Sequence, residues 1–380
     1  MNKIIVFGSS HHNTLGLVRS IGENGIPVNL IIVAEDSFIE HSKYISEVYH
    51  IKTEEEVLPV LKNNYWNEQE KPIILCSSDA GICVLDSHFS ELSNHFILFN
   101  INSKEGAISH FMNKDNTFKT AEECGIRTIK TWHLDDREHL PDDITYPCLV
   151  KHNNSVDGPK TDMIICNNLD ELRAHLSSGK DYLIQEYIEK DYELNLIGVS
   201  LNHGDQIILP AAIRKIRDYL HFQSMYMYLE SLNNYPTLNI EKIKSFISEL
   251  GYEGLFSVEL LCKDNIYYFL EVNLRNDGCC YIYTAAGANL PYMWIENVSG
   301  ESSMSQKQIF CKTPFYLMND YDIYNVRYGR IGFMRWFKDW LHSDAFFIYN
   351  TKDPRPFYYI IKSMIKKVPA KLFQKICSAC

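Results

Sequence analysis

The sequence predicts an α/β domain followed by an α+β body, and three observations predict it. Short apolar runs alternate with helical patterns over the first hundred residues, the character of the chain changes at Asn113, and two acid-bearing strands stand either side of residue 264. A chain of 380 residues, 46% of them hydrophobic, is long enough to bury two or three cores.

The α/β part comes first. Lys3–Phe7 (KIIVF) reads as a strand, and Leu15, Val18 and Ile21 have helical spacing in the stretch Thr14–Glu23, which ends at Gly25-Ile26-Pro27. Apolar runs follow at Val28–Val33, Ile73–Cys76 and Phe96–Phe99. Strands separated by helical patterns build a parallel sheet, and this first unit spans 1–112. From 113 the pattern shifts: a helix at Asp115–Cys124 stopped by Gly125, then strands at Thr128–His133, Cys148–Lys151, Met163–Cys166 and Leu183–Tyr187, with a helix at Asp170–Ser178. This second unit spans 113–193. A third, 194–310, carries longer strands at Ile207–Ile213, Leu255–Leu261 and Tyr267–Asn273, with a helix at Ile240–Leu250. The last segment, 311–380, is basic and aromatic, and reads as a helical tail.

Composition narrows the function classes. The net charge is −11, but residues 311–380 hold 12 Lys+Arg against 5 Asp+Glu, so the rest of the chain carries −18. An acidic body excludes general nucleic-acid binding. The tail either packs on the body as a solvated appendage or makes a weak peripheral contact with an anionic membrane surface. No apolar run is long enough for a spanning helix, the N-terminus lacks a signal-peptide pattern, and the 11 cysteines suit reduced thiols, so a cytoplasmic location is expected.

The strongest chemical signal is Glu271-Val272-Asn273-Leu274-Arg275. In a strand, alternate residues share a face, so Glu271, Asn273 and Arg275 line up while Leu270, Val272 and Leu274 point away. Magnesium prefers hard oxygen ligands shared with substrate phosphates, and a carboxylate and an amide two residues apart supply them. Arg275 can then neutralise phosphate charge. Glu259 sits on the preceding strand. A three-residue loop puts it on the face of Glu271, and a two-residue loop turns it away. An odd loop or a bulge is expected, because two ions need two acids. Lys151 ends an apolar strand and Lys114 precedes a helix; both can reach phosphates as point charges. The loop Asn153–Lys160 suits a phosphate-covering flap. The strand Gln185-Glu186-Tyr187-Ile188 runs into acids, as an adenine-reading hinge does, with Asp191 or Glu193 available to ribose hydroxyls.

Taken in order, these motifs resemble the ATP-grasp superfamily over roughly 1–300. The resemblance implies a Rossmann-like domain preceding the ATP-grasp fold, phosphate binding by Lys114, Lys151 and the flap, adenine contacts from Gln185, Glu186, Tyr187 and Ile188, ribose contact from Asp191 or Glu193, and metal ligation by Glu259, Glu271 and Asn273. Asn273–Gly278, followed by Ala285–Pro291, is similar to D-aspartate ligase and to carbamoyl-phosphate-synthase-like carboxylate–amine ligases. Ile213–Tyr219 resembles their basic segment, which points to Arg214 and Arg217 beside Lys151 and Arg275 as catalytic groups. Leu274 stands where the family often has proline. The resemblance implies an ADP-forming ligase using ATP and two magnesium ions, with manganese able to substitute. It joins a small-molecule carboxylate to an amine or thiol through an acyl phosphate; a homodimer is common in this kind of fold, and the sequence leaves the oligomeric state open. Two rival readings are a catalytically decayed ATP-binding module, favoured if Glu259 faces the core, and a nicotinamide-dependent oxidoreductase. The second is opposed by Gly8-Ser9-Ser10-His11-His12, which lacks the dinucleotide glycine pattern.

Overall fold

The computed structural model describes residues 2–134, 140–152, 163–176, 182–219, 224–300 and 309–367. The flap candidate 153–160 and the tail beyond 367 lie outside these residues.

The opening runs form the parallel sheet that their pattern demands. Strands β1 (Ile4–Ser9), β2 (Val28–Val33), β3 (Ile45–Ile51), β4 (Ile73–Cys76) and β5 (Ile97–Leu98) lie in the order β3-β2-β1-β4-β5. Buried on both faces, β1 and β2 are near-continuous apolar runs, as a helix-covered parallel sheet requires. The order reverses between β1 and β4, which opens a crevice at their carboxyl ends. The helix His12–Gly22 starts there, capped by the His11 ring, which accepts from the Asn13 amide.

Strand β6 (Asn100–Ile101) leaves this sheet and pairs with the start of a strand 150 residues later. The unit 113–193 is an antiparallel sheet, β7-β10-β8-β9, built from β7 (Thr131–His133), β8 (Cys148–His152), β9 (Ile164–Cys166) and β10 (Tyr182–Glu186). It closes a small core of its own around Trp132, Val150, Leu172 and Ile184.

The third sheet is large. It contains β11 (Tyr192–Leu201), β12 (Gln206–Ile208), β13 (Ala212–Asp218), β14 (Ser224–Glu230), β15 (Tyr252–Lys263), β16 (Ile266–Asn273), β17 (Phe315–Met318) and β18 (Ala345–Phe346), with main order β16-β15-β11-β13-β14-β17-β18. Pro210, which has no amide proton, separates β12 from β13 where the sequence suggests one continuous strand. The helix Ile240–Leu250 packs Ile243, Phe246, Ile247 and Leu250 inward, with Asn239 capping its start and Gly251 at φ 64° ending it.

The C-terminal segment is not purely helical. Helices occupy Ile323–Arg327, Phe333–His342 and Arg355–Lys367, but Phe315–Met318 pairs with β14 and extends the sheet. The alternation of apolar residues there is too short to register as a strand. Arg19 ties the segment to the first domain. Its guanidinium is fully buried, pairs with Asp353 at 3.1 Å and donates to the Ile348 carbonyl at 2.8 Å.

Candidate active site

The hairpin β15–β16 decides the position of the acids. Its turn is the two-residue Asp264-Asn265, with φ of 51° and 60°, conformations that these two side chains tolerate. A regular ladder from that turn would set Glu259 against Leu270. Instead the register shifts by one: Leu260 opposes Phe269, and Glu259 opposes Glu271. Leu270 is the extra residue, and the bulge turns both carboxylates to one face. Ser257 opposes Asn273 and accepts from its Nδ2 at 3.1 Å.

The neighbouring strand completes the floor. Asn195 of β11 opposes Glu259 and, on its other side, Ile213 of β13. By strand parity Glu193 and Lys215 share this face. Glu193 pairs with both Lys215 and Lys190. Burial would raise the Glu193 carboxyl, but Lys215 and Lys190 outweigh it and hold the group below the usual carboxylate value. Burial would likewise lower the Lys215 ammonium, yet Glu193 and Glu259 raise it. Both groups are therefore charged at neutral pH.

Arg275 reaches back to the first domain. Nε and Nη2 hold the Asp79 carboxylate at 2.6 and 3.0 Å, and Nη2 also donates to Asn273 Oδ1 at 3.1 Å. Its burial opposes the charge, but Asp79, Asp277 and Glu271 raise its pKa further. Asp277 in turn accepts from Ser257 Oγ at 2.9 Å. On the far wall the His11 and His12 rings lie 3.8 Å apart, tilted by 39°, at the carboxyl end of β1. Gly278 passes close to them: a Cβ there would lie 3.3 Å from His12 Nε2. Burial, followed by the charge of Arg275, lowers the His11 pKa. Burial and the adjacent His11 drive that of His12 well down.

Apart from the buried Ser257, these groups line one cavity of about 960 Å³, together with Lys114, Lys151, Gln185, Glu186, Tyr187 and Ile188. Asn113 caps the helix Lys114–Glu123 and so sets Lys114 in its first turn, while Lys151 stands on β8, nearly fully buried. Gln185 donates Nε2 to Thr131 Oγ1 at 2.9 Å, but its buried Oε1 has no partner among the described residues. The buried Asn195 Oδ1 is likewise without a partner there. Each is an acceptor that a buried site ordinarily satisfies.

Three expected residues fall elsewhere. Arg214 points to the reverse face of β13, where its guanidinium stands 4.1 Å over the Tyr192 ring. Arg217 follows a register shift and is taken up by Asp322, at 3.0 Å, and by Asp339, at 2.9 Å. Asp191 sits outside the cavity at the hairpin turn, where it accepts from the Asp264 amide at 2.8 Å. Of the two ribose candidates only Glu193 lines the cavity. Lys215 takes the place expected of Arg214 and Arg217. Strand alternation from Ile213 would have found it. Asn195 lies on Tyr192–Leu201, which the apolar pattern does not mark as a strand, although the alternation of Glu193 and Asn195 signals a polar face. The Asp79–Arg275 pair spans 196 residues and leaves no local trace. Glu259 faces the cavity, so the condition that favours a decayed module is not met.

A family described as "ATP-grasp in the biosynthetic pathway with Ter operon" matches residues 201–315, the stretch that holds Glu259, Glu271 and Asn273. The solved N5-carboxyaminoimidazole synthetase from Staphylococcus aureus complexed with ADP superimposes with a TM-score of 0.68 at 16% identity, over 87% of each chain. The chain has the ATP-grasp fold. The L-amino acid ligase from Bacillus licheniformis shares the fold at a TM-score of 0.64 and 14% identity, covering 81% of this chain and 78% of that one. Among curated relatives, the formate-dependent phosphoribosylglycinamide formyltransferase of Wolinella succinogenes is 32% identical over 188 residues, 44% of this chain and 46% of that protein. The chain spans about half the length of most of the curated relatives it matches.

The donor set fits magnesium. Among the described residues no three His, Cys, Asp or Glu side chains cluster as a self-sufficient metal site. Two facing carboxylates beside an asparagine are what an ion sharing its shell with phosphates requires.

Proposed function

We propose that this protein is an ATP-dependent ligase that joins a small carboxylate to an amine and releases ADP and phosphate. The observation that carries the reading is the bulged hairpin, which sets Glu259 against Glu271 in a cavity that also holds Lys114, Lys151, Lys215 and Arg275.

In this reading the adenine lies against β10. The Glu186 carbonyl and Ile188 amide face its edge, and Gln185 Oε1, which has no partner among the described residues, accepts a hydrogen bond from its amino group. Glu193 receives the ribose hydroxyls. Glu259, Glu271 and Asn273 would hold two magnesium ions, which would neutralise and orient the β- and γ-phosphates, and manganese would suit the same oxygens. Lys114 and Lys151 bind the phosphate oxygens as point charges. The substrate carboxylate oxygen bonds to the γ-phosphorus, and the bond from that phosphorus to the bridging oxygen of ADP breaks. Arg275, fixed by Asp79, and Lys215 stabilise the transferring charge without reorganising. The amine nitrogen then bonds to the acyl carbon, phosphate departs, and the amine loses a proton. No side-chain nucleophile is needed. The acceptor occupies the crevice at β1 and β4, beside His11, Asn13 and Ser77.

The relatives support this choice of substrates by their names. One is formate-dependent and acts on phosphoribosylglycinamide, and a fold neighbour ligates L-amino acids. A screen for ADP release that pairs formate and amino acids with candidate amines tests the reading. The expected result is release that needs both partners and disappears in Glu271→Gln at unchanged folding. Retained turnover in that variant overturns the assignment.

A further inference from the structure

The C-terminal segment carries a surface that the cavity does not use. The helix Phe333–His342 (FMRWFKDWLH) is amphipathic, yet Asp339 is its only buried residue. Met334 and Leu341 are 75% and 64% exposed, and on the helix Arg355–Lys367 Ile365 is 55% exposed. The two faces are continuous. Ring contacts run from Phe337 through Trp340, Phe346 and Tyr349 to Phe357, with centroids 5.3 to 6.0 Å apart. Monomeric proteins seldom leave so extended an apolar band in water.

The segment's own free charge around this band is positive, while from the first domain Asp36 accepts from Tyr359 and Glu23 pairs with Lys352. All five acids of the segment are consumed within the fold. Asp322 and Asp339 hold Arg217, Asp353 holds Arg19, Asp320 accepts from the Ile348 and Tyr349 amides, and Asp344 pairs with Lys312. Lys338 and Lys362 remain exposed on the two helices. The segment is thus cationic at its surface, on a chain whose remainder carries −18 by the count above.

The geometry points to this band as a docking surface for an anionic lipid bilayer. Aromatic and aliphatic side chains enter the headgroup boundary, and lysines meet the lipid phosphates. A second copy of the chain fits less well, because a two-fold contact would set cationic faces against each other. No described helix is long and apolar enough to cross a membrane, so the contact is peripheral.

Pelleting the full chain with vesicles of phosphatidylcholine, with or without phosphatidylglycerol, tests this. Binding to the anionic vesicles is expected, weakening with added salt. Lys338→Glu and Lys362→Glu should each lower it about fivefold or more. Met334→Glu with Leu341→Glu, at exposed positions that leave the fold intact, should lower it on the order of tenfold or more. Equal binding to both vesicle types, no binding to either, or insensitivity to these substitutions overturns the proposal. So does concentration-dependent self-association that Met334→Glu abolishes, which would assign the band to a second copy.

Discussion

Glu259 and Glu271 face each other across two antiparallel strands because Leu270 is an extra residue between them and the turn. Without that bulge the two-residue turn would bury one acid behind the sheet. Contacts separate the cations around the pair: Lys215 and Arg275 line the cavity, whereas Arg214 and Arg217 are held outside it.

Lys215, Arg214 and Arg217 lie within four positions and should behave differently. Lys215→Met should reduce turnover by about a hundredfold or more, because it removes a preorganised charge from the reacting centre. Arg214→Gln, on the reverse face, should leave turnover within a few-fold. Arg217→Met should instead cost stability, about 3 kcal/mol, because buried Asp322 would keep only the Asn325 amide and Asp339 only Arg335 of the side-chain partners seen among the described residues. Steady-state kinetics and urea unfolding on the three variants check this.

Gln185 gives a prediction on base choice. Replacing its lone buried acceptor in Gln185→Leu should weaken ATP binding about tenfold, the loss of one good hydrogen bond. Binding of GTP, whose base carries a carbonyl oxygen where adenine has its amino group, should not weaken. Calorimetric titration with each nucleotide reads the difference, and equal losses for both would contradict the adenine assignment.

The buried His12 makes stability depend on pH. Burial and His11 hold its folded pKa well below the ordinary 6.5, so below that pH the unfolded chain binds a proton that the folded chain refuses. Unfolding free energy should therefore fall as pH drops from 7 to 5, with a slope approaching about 1.4 kcal/mol per pH unit from this group. His12→Phe should flatten that part of the profile.

Arg19 and Asp353 form a fully buried pair that fastens the C-terminal segment to the first domain. Arg19→Met should destabilise the protein by about 3–5 kcal/mol. Phe347 and Ile348, which line the cavity, hang from the same guanidinium. The variant should therefore also raise KM.

Much of this was legible in the sequence, and the misses have physical causes. Period-two patterning places Glu271, Asn273 and Arg275 on one face, and the expectation of an odd loop or a bulge is met by the register shift at Leu270. The same patterning carried through β13 would have chosen Lys215; resemblance to a basic segment chose its neighbours instead. Arg275 was found, but its holder Asp79 was not, because a contact between distant residues leaves no local pattern. The role of Arg217 depends on Asp322 and Asp339, which belong to a segment read as a solvated appendage. The strand β17 is four residues long and acquires its character only from pairing with β14.

The central claim is that side chains 259, 271 and 273 grip divalent cations beneath a nucleotide. Calorimetry of a non-hydrolysable ATP analogue, with and without magnesium, tests it most directly. Tight binding should require the ion in the native chain, and Glu259→Gln with Glu271→Gln should lose that requirement together with the affinity. Equal affinity with and without magnesium, or full retention in the double variant, would contradict the account.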